Sequence, residues 1–371
     1  MTPTVIRQTL HQHPGISGNE QFAHDLIVGE LAAYRPDKLF QHVGGYGVVA
    51  VWGTDQSHPT LALRCDIDAL PIGHRCGHDG HTSILIQLAQ WLPSHLSPRH
   101  NLILIFQPEE ETGTGAQKII DSGILQQYNI KAIFGFHNLP GFPIGQVVLN
   151  YHTFAAASTG IIYRLTGRPT HASTPEKGLN PGLAVADIVR AFSLLNSKPD
   201  DLGDTFRQST LICIQLGDEA FGTSAGQADI MFTLRAFSNN TMQQLIAQAN
   251  DIVSQVAARY HLQLSHTLRE PFRATENQSS LVEFIEHTVV AEGIPFQHLL
   301  TPFRWSEDFS NYLQLFPGAY FGIGSGTQQH ELHHPDYVFP DSLIAPAARI
   351  LLAIVQHFQD PHTHTPIRMK E

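Results

Sequence analysis

The stretch His74-Arg75-Cys76-Gly77-His78-Asp79-Gly80-His81-Thr82 places one thiol and three imidazoles within eight positions. Thiolate and imidazole are ligands for borderline transition metals. Directly behind the stretch, residues 83–92 have the apolar spacing of a helix. Soft ligands gathered at the mouth of a helix point to metal binding. Cys76 and His78, two apart in a loop, can aim both side chains at one place, whereas Asp79 and His81 also read as groups that orient a ligand from behind. The bland reading is a loop with a buried cysteine and incidental histidines. The chain has 23 histidines, so a histidine by itself signals nothing. His74 is taken as an ordinary loop residue.

Other segments bring matching chemistry. The apolar run 101–106 stops at Gln107-Pro108-Glu109-Glu110-Glu111-Thr112-Gly113. A run of charges is usually a solvated loop, but this one directly ends a buried strand. A metal hydrolase needs one carboxylate on the metal and another free to take a proton from water, and adjacent glutamates can divide that labour. His137 follows the apolar run 132–136. His330, His333 and His334 compete for a further ligand role, and spacing does not choose among them. His171, in a Gly/Pro/Ser/Thr-rich loop, reads either as a loop residue or as a donor to a carbonyl oxygen that gains charge. Arg235 reads as a surface pair or as a clamp for a substrate carboxylate. Gly-x-Ser-x-Gly at a strand elbow, His-Glu-x-x-His and a phosphate loop are all absent.

The elements that must position these groups follow from patterning. A helical segment over 5–34 is interrupted near His13-Pro14-Gly15 and restarts at Ser17-Gly18-Asn19-Glu20, a capping-box pattern. Strands are predicted at 45–53, 61–70, 101–106, 132–136 and 318–324, with helices at 115–123, 281–292 and 341–359. Apolar runs without alternation suit a sheet covered on both faces. Strand–helix alternation then gives an α/β fold with a mainly parallel sheet and helices on both sides. Asp66 and Asp68, Glu109–Glu111 and His137 each fall at a strand's C-terminal end, where such sheets form their sites.

From about residue 156 the texture changes to one-sided alternation. Strands are predicted at 159–165, 210–215 and 228–235, with helices at 181–196 and 240–259. Residues 156–268 are therefore read as an inserted, smaller α+β domain with an exposed sheet edge that a second copy could pair with. Residues 1–155 and 269–371 form the metal-binding domain, and the polar tail after Asp360 is read as frayed.

A length of 371 residues fits this two-part organisation. Net charge is −11, which argues against nucleic acid and anionic membrane as partners. Three scattered cysteines, no apolar leader and no run of membrane-span length point to the cytoplasm.

Taken together, the motifs resemble the di-metal aminoacylase and carboxypeptidase superfamily. Within it they are most similar to the amidohydrolases of indoleacetyl-amino acids, hippurate and N-acetyl-diaminopimelate. The likeness spans nearly the whole chain. It runs through Leu10-His11-Gln12-His13-Pro14, Leu63-Arg64-Cys65-Asp66-Ile67-Asp68-Ala69-Leu70-Pro71, Cys76-Gly77-His78-Asp79-Gly80-His81-Thr82 and Phe106-Gln107-Pro108-Glu109-Glu110-Glu111. It continues through Gly135-Phe136-His137, Gly167-Arg168-Pro169-Thr170-His171-Ala172, Ser306-Glu307-Asp308-Phe309 and Leu332-His333-His334-Pro335.

The resemblance implies that Cys76 bridges two divalent ions, with His78, Glu111, His137 and His333 as the other ligands. Zinc is the first choice; manganese, nickel and cobalt fit the same donors. It also implies that Glu110 is the general base and proton donor. His171 would polarise the scissile carbonyl, reaching into a partner subunit's site, and the inserted domain would serve as lid and dimer interface.

The expected activity is hydrolysis of the amide of a small N-acyl amino acid. Its rivals are a di- or aminopeptidase of the same superfamily and a catalytically inactive metal-binding scaffold. Two departures from the family stand out. Only Ile72-Gly73-His74-Arg75 separates Pro71 from Cys76, which should alter the substrate cleft. Glu109 stands where small residues are common, which should add a carboxylate near the metals.

Overall fold

A computed structural model describes residues 1–55, 58–95, 100–198 and 203–358. Gln359, at the expected end of the last helix, and the tail after Asp360 lie outside the described residues. The chain divides into two compact units. The first comprises Met1–Phe154, Glu276–Leu300 and the chain from Asp308 onward; the second comprises Ala155–Thr275 and Thr301–Glu307.

The first unit is built on an eight-stranded sheet. Its strands are β1 (Lys38–Val43), β2 (Gly47–Trp52), β3 (Thr60–Asp66), β4 (Asn101–Gln107), β5 (Ile130–Pro140), β6 (Val147–Leu149), β13 (Phe296–His298) and β14 (Gly318–Gly326). Strands β7 to β12 belong to the second unit. The order is β1-β2-β4-β3-β5-β14-β6-β13. The pairs β3–β4, β3–β5, β5–β14 and β6–β13 are parallel, and β1–β2, β2–β4 and β6–β14 are antiparallel.

The helices of this unit are α1 (Pro3–Gln12), α2 (Gln21–Ala33), α3 (His78–His95), α4 (Gly115–Asp121), α7 (Ser279–Ala291) and α8 (Ile344–His357). Leu61, Leu63, Leu102 and Leu104 join one apolar core with residues of α1, α2, α3, α7 and α8. Their neighbours in the alternation, Ala62, Ile103 and Ile105, are equally inaccessible. Both faces of the central strands are covered, which is why those strands carry no polar alternation.

Three expectations about this unit change. Helix α3 starts at His78, inside the ligand motif, rather than at Ser83. Strand β5 does not stop before His137 but continues to Pro140, because His137, Asn138 and Leu139 pair with Gly322, Ile323 and Gly324 of β14. Ser17 and Glu20 do not form a capping box: Ser17 Oγ donates to Asp68 Oδ2 at 2.7 Å, and Glu20 Oε1 accepts from the backbone N–H of Gly18 and Glu109. Both side chains serve tertiary contacts instead of the helix end, and α2 begins only at Gln21.

The second unit holds β7 (Ala157–Thr166), β8 (Thr170–His171), β9 (Arg207–Leu216), β10 (Thr223–Ser224), β11 (Gln227–Ala236) and β12 (Gln263–Phe272), with α5 (Gly182–Ser193) and α6 (Asn239–Arg259). Its main sheet is antiparallel in the order β12-β7-β11-β9. Ile161, Tyr163, Leu165, Ile230 and Phe232 pack with Ile188 and Phe192 of α5 and Leu245, Ala249 and Val253 of α6. Strand β12 runs past residue 268, and its mostly polar, exposed sequence hides it from an apolar-pattern search.

Among the described residues no helix is long and apolar enough to cross a membrane.

Candidate metal centre

The ligand motif sits in a cradle formed by β3, β4, β5 and the first turn of α3. Gly77 adopts φ +98°, and a Cβ there would lie 2.6 Å from the Asn138 side-chain oxygen. Only glycine lets the chain turn so tightly against β5, and the turn lets Cys76 and His78 fall in one group of potential ligands.

Each imidazole is oriented from behind. His78 Nδ1 lies 3.0 Å from the Asp68 carbonyl oxygen and 3.3 Å from Asp68 Oδ1. His137 Nδ1 lies 2.9 Å from the Asn138 carbonyl oxygen. Both Nδ1 atoms are thereby donors, which leaves Nε2 with a lone pair free to ligate. His137 Nε2 is 3.5 Å from Cys76 Sγ. His78 Nε2 is 3.7 Å from Asp66 Oδ2 and 3.9 Å from Glu111 Oε1. His333 Nε2 is 3.7 Å from Glu111 Oε1, so of the three candidate histidines His333 is the one brought to this cluster.

The glutamates are held by two clamps. The Glu109 N–H donates to Glu20 Oε1 at 3.0 Å, and the Glu111 N–H donates to Asp68 Oδ2 at 3.0 Å. Glu109 itself sits at φ +54°, so the turn reverses the chain there. Its carboxylate meets Lys118 Nζ at 2.7 Å and accepts from Thr114 Oγ1, and so it is engaged by α4 rather than added to the ligand cluster. Glu110 is buried, and an oxygen of it groups with His78 and Glu111.

Potential donors form overlapping groups: Cys76, His78 and His137; Cys76, Glu111 and His333; and His78, Glu110 and Glu111. In each group the ligating atoms lie within 4.8 Å of one another. His78 Nε2, Glu111 Oε1 and Asp68 Oδ1 are buried without a hydrogen-bond partner. Buried polar atoms of this kind are costly unless something satisfies them. A thiol, imidazoles and carboxylates with orphaned lone pairs are a donor set that would suit divalent transition-metal ions.

The electrostatics agree. Burial pushes the Cys76 thiol well above its ordinary range, and Glu111, Glu110 and Asp66 push it further. Burial also carries Glu111 up to about 7, against the pull of His78. For His78 burial acts downward, but Asp66, Asp68 and Glu111 outweigh it and raise the imidazole to about 10. Burial and the neighbouring His81 hold His137 well below the ordinary imidazole range. Protons thus occupy acid-crowded positions that a cation would take over.

Asp79 and His81 face other partners. Asp79 is buried against His11 Nδ1 at 2.9 Å and Arg7 Nη1 at 3.4 Å, which ties α3 to α1. His81 Nδ1 meets Asp66 Oδ1 at 2.5 Å, and its Nε2 accepts from the Asn138 N–H at 3.1 Å. His74 is buried, with neither ring nitrogen hydrogen-bonded, and burial lowers it to about 4.

Sequence reasoning left several supports unassigned. Arg64 is fully buried and donates to Asp66 Oδ2 at 2.9 Å, Asp308 Oδ1 at 2.8 Å and Gln107 Oε1 at 2.8 Å. Asp308 also accepts from Gln107 Nε2 and from the Ala116 N–H. Asp68 contacts His78, Glu111 and Ser17 at once. The signal for both aspartates was the Asp66-Ile67-Asp68 alternation at the end of a buried strand.

In the second unit, His171 is exposed on β8. Its Nδ1 lies 2.7 Å from Ser173 Oγ and accepts from the Ser173 N–H at 3.1 Å. Arg235 donates to the Arg304 carbonyl oxygen at 2.6 Å and to Ser306 Oγ at 3.3 Å, all within this unit.

A mixed, mainly parallel α/β sheet gathers a thiol, imidazoles and paired glutamates beside its strand ends, as in hydrolases of α/β type. Residues 62–357 match peptidase family M20/M25/M40, and the chain belongs to that family of hydrolases. An IAA-amino acid hydrolase of Arabidopsis thaliana (ILR1-like 2) is 30% identical over 93% of this chain and 82% of its own length. The hippurate hydrolase of Campylobacter jejuni is 28% identical over 92% and 93%. A Bacillus subtilis structure described as a dinuclear metal-binding M20 peptidase shares the fold with a TM-score of 0.82, at 23% identity over 95% and 96% of the two chains.

Proposed function

We propose that the protein is a dinuclear metal-dependent amidohydrolase that cleaves the amide bond of small N-acyl amino acids. The observation that carries this reading is the Glu110–Glu111 pair: Glu111 faces His78 and His333, while Glu110 is buried beside the same donors. Cys76, His78, Glu111, His137 and His333 would hold two divalent ions, zinc first among them. When bound, these ions acidify water and withdraw charge from the substrate carbonyl.

The chain's own groups do the rest. Glu110 takes a proton from the attacking water and later delivers it to the departing amine nitrogen. The Glu20 and Asp68 clamps fix the turn that carries Glu110. His171 accepts the Ser173 N–H at Nδ1, which puts its own proton on Nε2 and makes that atom a donor for a carbonyl oxygen gaining charge. The second unit is assigned as lid and homodimer interface through its exposed edge strands, with Arg235 shaping the segment that carries Arg304 and Ser306. The relatives named as indoleacetyl-amino-acid and hippurate hydrolases support an N-acyl amino acid substrate, and no step requires nucleic acid or membrane. A cytoplasmic location belongs to the same reading.

The test is Glu110→Gln assayed on N-acetyl, N-benzoyl and indoleacetyl amino acids beside dipeptides, with bound metal measured in parallel. Expected is a loss of turnover of roughly 10²–10⁴-fold with metal content unchanged. Turnover retained with metal still bound defeats the mechanism, and turnover of dipeptides alone defeats the substrate class.

A further inference from the structure

The turn that carries His333 holds a second group of potential ligands outside the centre described above. His330, His334 and Asp336 are all exposed, and one ligating atom from each lies within 4.8 Å of the others. The His330 and His334 rings stack at 4.4 Å with planes 6° apart. His334 Nδ1 lies 3.8 Å from Asp336 Oδ2. The turn is anchored rather than loose. His333 N–H donates to the Arg75 carbonyl oxygen at 2.9 Å, His334 N–H to Glu331 at 3.2 Å and Tyr337 N–H to His334 at 2.9 Å. Tyr337 and Phe339 just beyond are buried.

We propose that His330, His334 and Asp336 form an additional, solvent-open site for a borderline divalent transition metal such as zinc, distinct from the centre at Cys76. Two imidazoles and a carboxylate with an open position facing water are a common ligand set for such ions. Ligand atoms on a tetrahedral zinc stand about 3.4 Å apart, given bonds of about 2.0–2.1 Å. The Asp336–His334 pair is already close to that spacing. The two stacked rings must tilt so that their in-plane lone pairs converge, and both side chains are exposed and have room to do so.

His334 Nδ1 now accepts the Asp336 N–H at 3.1 Å, and ligation through this atom would release that N–H to water. At an exposed turn water replaces the lost contact, so the exchange costs little. An ion held here ties together the two flanks of His333. The site is expected to be weaker than a buried centre, because its ligands remain hydrated and must be ordered on binding.

The experiment is zinc titration of tag-free protein by calorimetry, starting from protein already equilibrated with zinc and passed through a desalting column. Wild type is expected to take up one more ion per chain than His330→Ala/His334→Ala. Asp336→Ala is expected to weaken that uptake at least tenfold. Because the readout is the difference between variants, it does not depend on how many ions the Cys76 centre holds. A second measurement needs no variant. Zinc should protect His330 and His334, but not the exposed His152, from modification by diethylpyrocarbonate. Equal zinc stoichiometry in wild type and the double variant, or unprotected His330 and His334 at saturating zinc, overturns the proposal.

Discussion

Replacing Arg64 with Met removes a buried guanidinium that bridges Asp66 and Asp308. All three side chains are inaccessible, and the guanidinium lies 2.9 and 2.8 Å from the two carboxylates. At an effective dielectric near 20 each contact is worth about 6 kcal/mol of gross attraction. Burying the charges offsets most of that, so the intact cluster contributes little net stability. Breaking it is different, because both carboxylates stay buried and lose the guanidinium, keeping only His81 at Asp66 and the Gln107 Nε2 and Ala116 N–H donors at Asp308. The expected cost is about 3–5 kcal/mol. Arg64→Lys keeps the charge but cannot fork to both acids, and should fall between wild type and Met.

The consequence reaches the candidate metal centre through Asp66, which receives His81 and stands 3.7 Å from His78 Nε2. Loss of such outer support costs about 10–100-fold in metal affinity. Burial alone would raise the Asp66 carboxyl, but His78, His81 and Arg64 together hold it well below the usual range. A depressed carboxylate contributes stability that is present above its unfolded pKa of about 3.9 and is lost as pH falls through the folded value. The gap between wild type and Arg64→Met should thus be widest at neutral pH and narrow below about pH 4. The assay is urea unfolding in a Trp305→Phe background, read by Trp52 and Trp91 of the first unit, with zinc affinity measured by chelator competition. Asp308→Asn combined with Arg64→Met should cost less than the two singles summed, by about 0.5–3 kcal/mol. Equal unfolding free energies for Arg64→Met and wild type, within about 15%, would refute the reasoning.

Other predictions concern the loop and the ligands. A Cβ at Gly115 would stand 1.6 Å from the Pro108 carbonyl oxygen, at the base of the glutamate turn. Gly115→Ala should therefore destabilise by about 1–3 kcal/mol and weaken zinc binding. An unshifted thermal midpoint with normal zinc content would show that the turn can yield. Zinc binding should release protons, since metal-free His78 is raised to about 10 and Glu111 to about 7, and both must lose their protons to ligate. Affinity should accordingly rise between pH 6 and pH 8, and calorimetry in two buffers of different ionisation enthalpy should count the protons; a count of zero contradicts the ligand assignment. Asp68→Ala removes the carboxylate behind His78 and Glu111 and should weaken zinc about 10–100-fold while leaving the second unit's folding intact, as hydrogen exchange of β7 and β11 can report.

What the sequence made legible tracks how local the physics is. The central strands β3 and β4 show as unbroken apolar runs because both of their faces are buried. The Cys76–His78 pair shows because its two candidate ligands lie on one turn. Ser17 and Glu20 mimic a helix cap, yet their oxygens serve Asp68 and the Glu109 backbone, partners 51 and 89 residues away. No local pattern distinguishes those two uses. Strand β12 escaped notice for the opposite reason: a strand this exposed needs no apolar alternation.

The choice of His333 over His330 and His334 shows what spacing cannot supply. His333 adopts φ +67°, and its N–H is held by the Arg75 carbonyl. That contact reaches back to the short segment between Pro71 and Cys76. Leu70 bridges to Gly73, and Arg75 Nη1 donates to the Tyr337 carbonyl oxygen at 2.7 Å. The segment that looked only like a missing piece of a substrate cleft therefore grips the His333 turn from both of its ends. A longer insertion there would have to keep Arg75 in register with residues 333 and 337 or give up the contact. The brevity of Ile72-Gly73-His74-Arg75 is thus tied to the position of a candidate ligand, His333, more than 250 residues further along the chain.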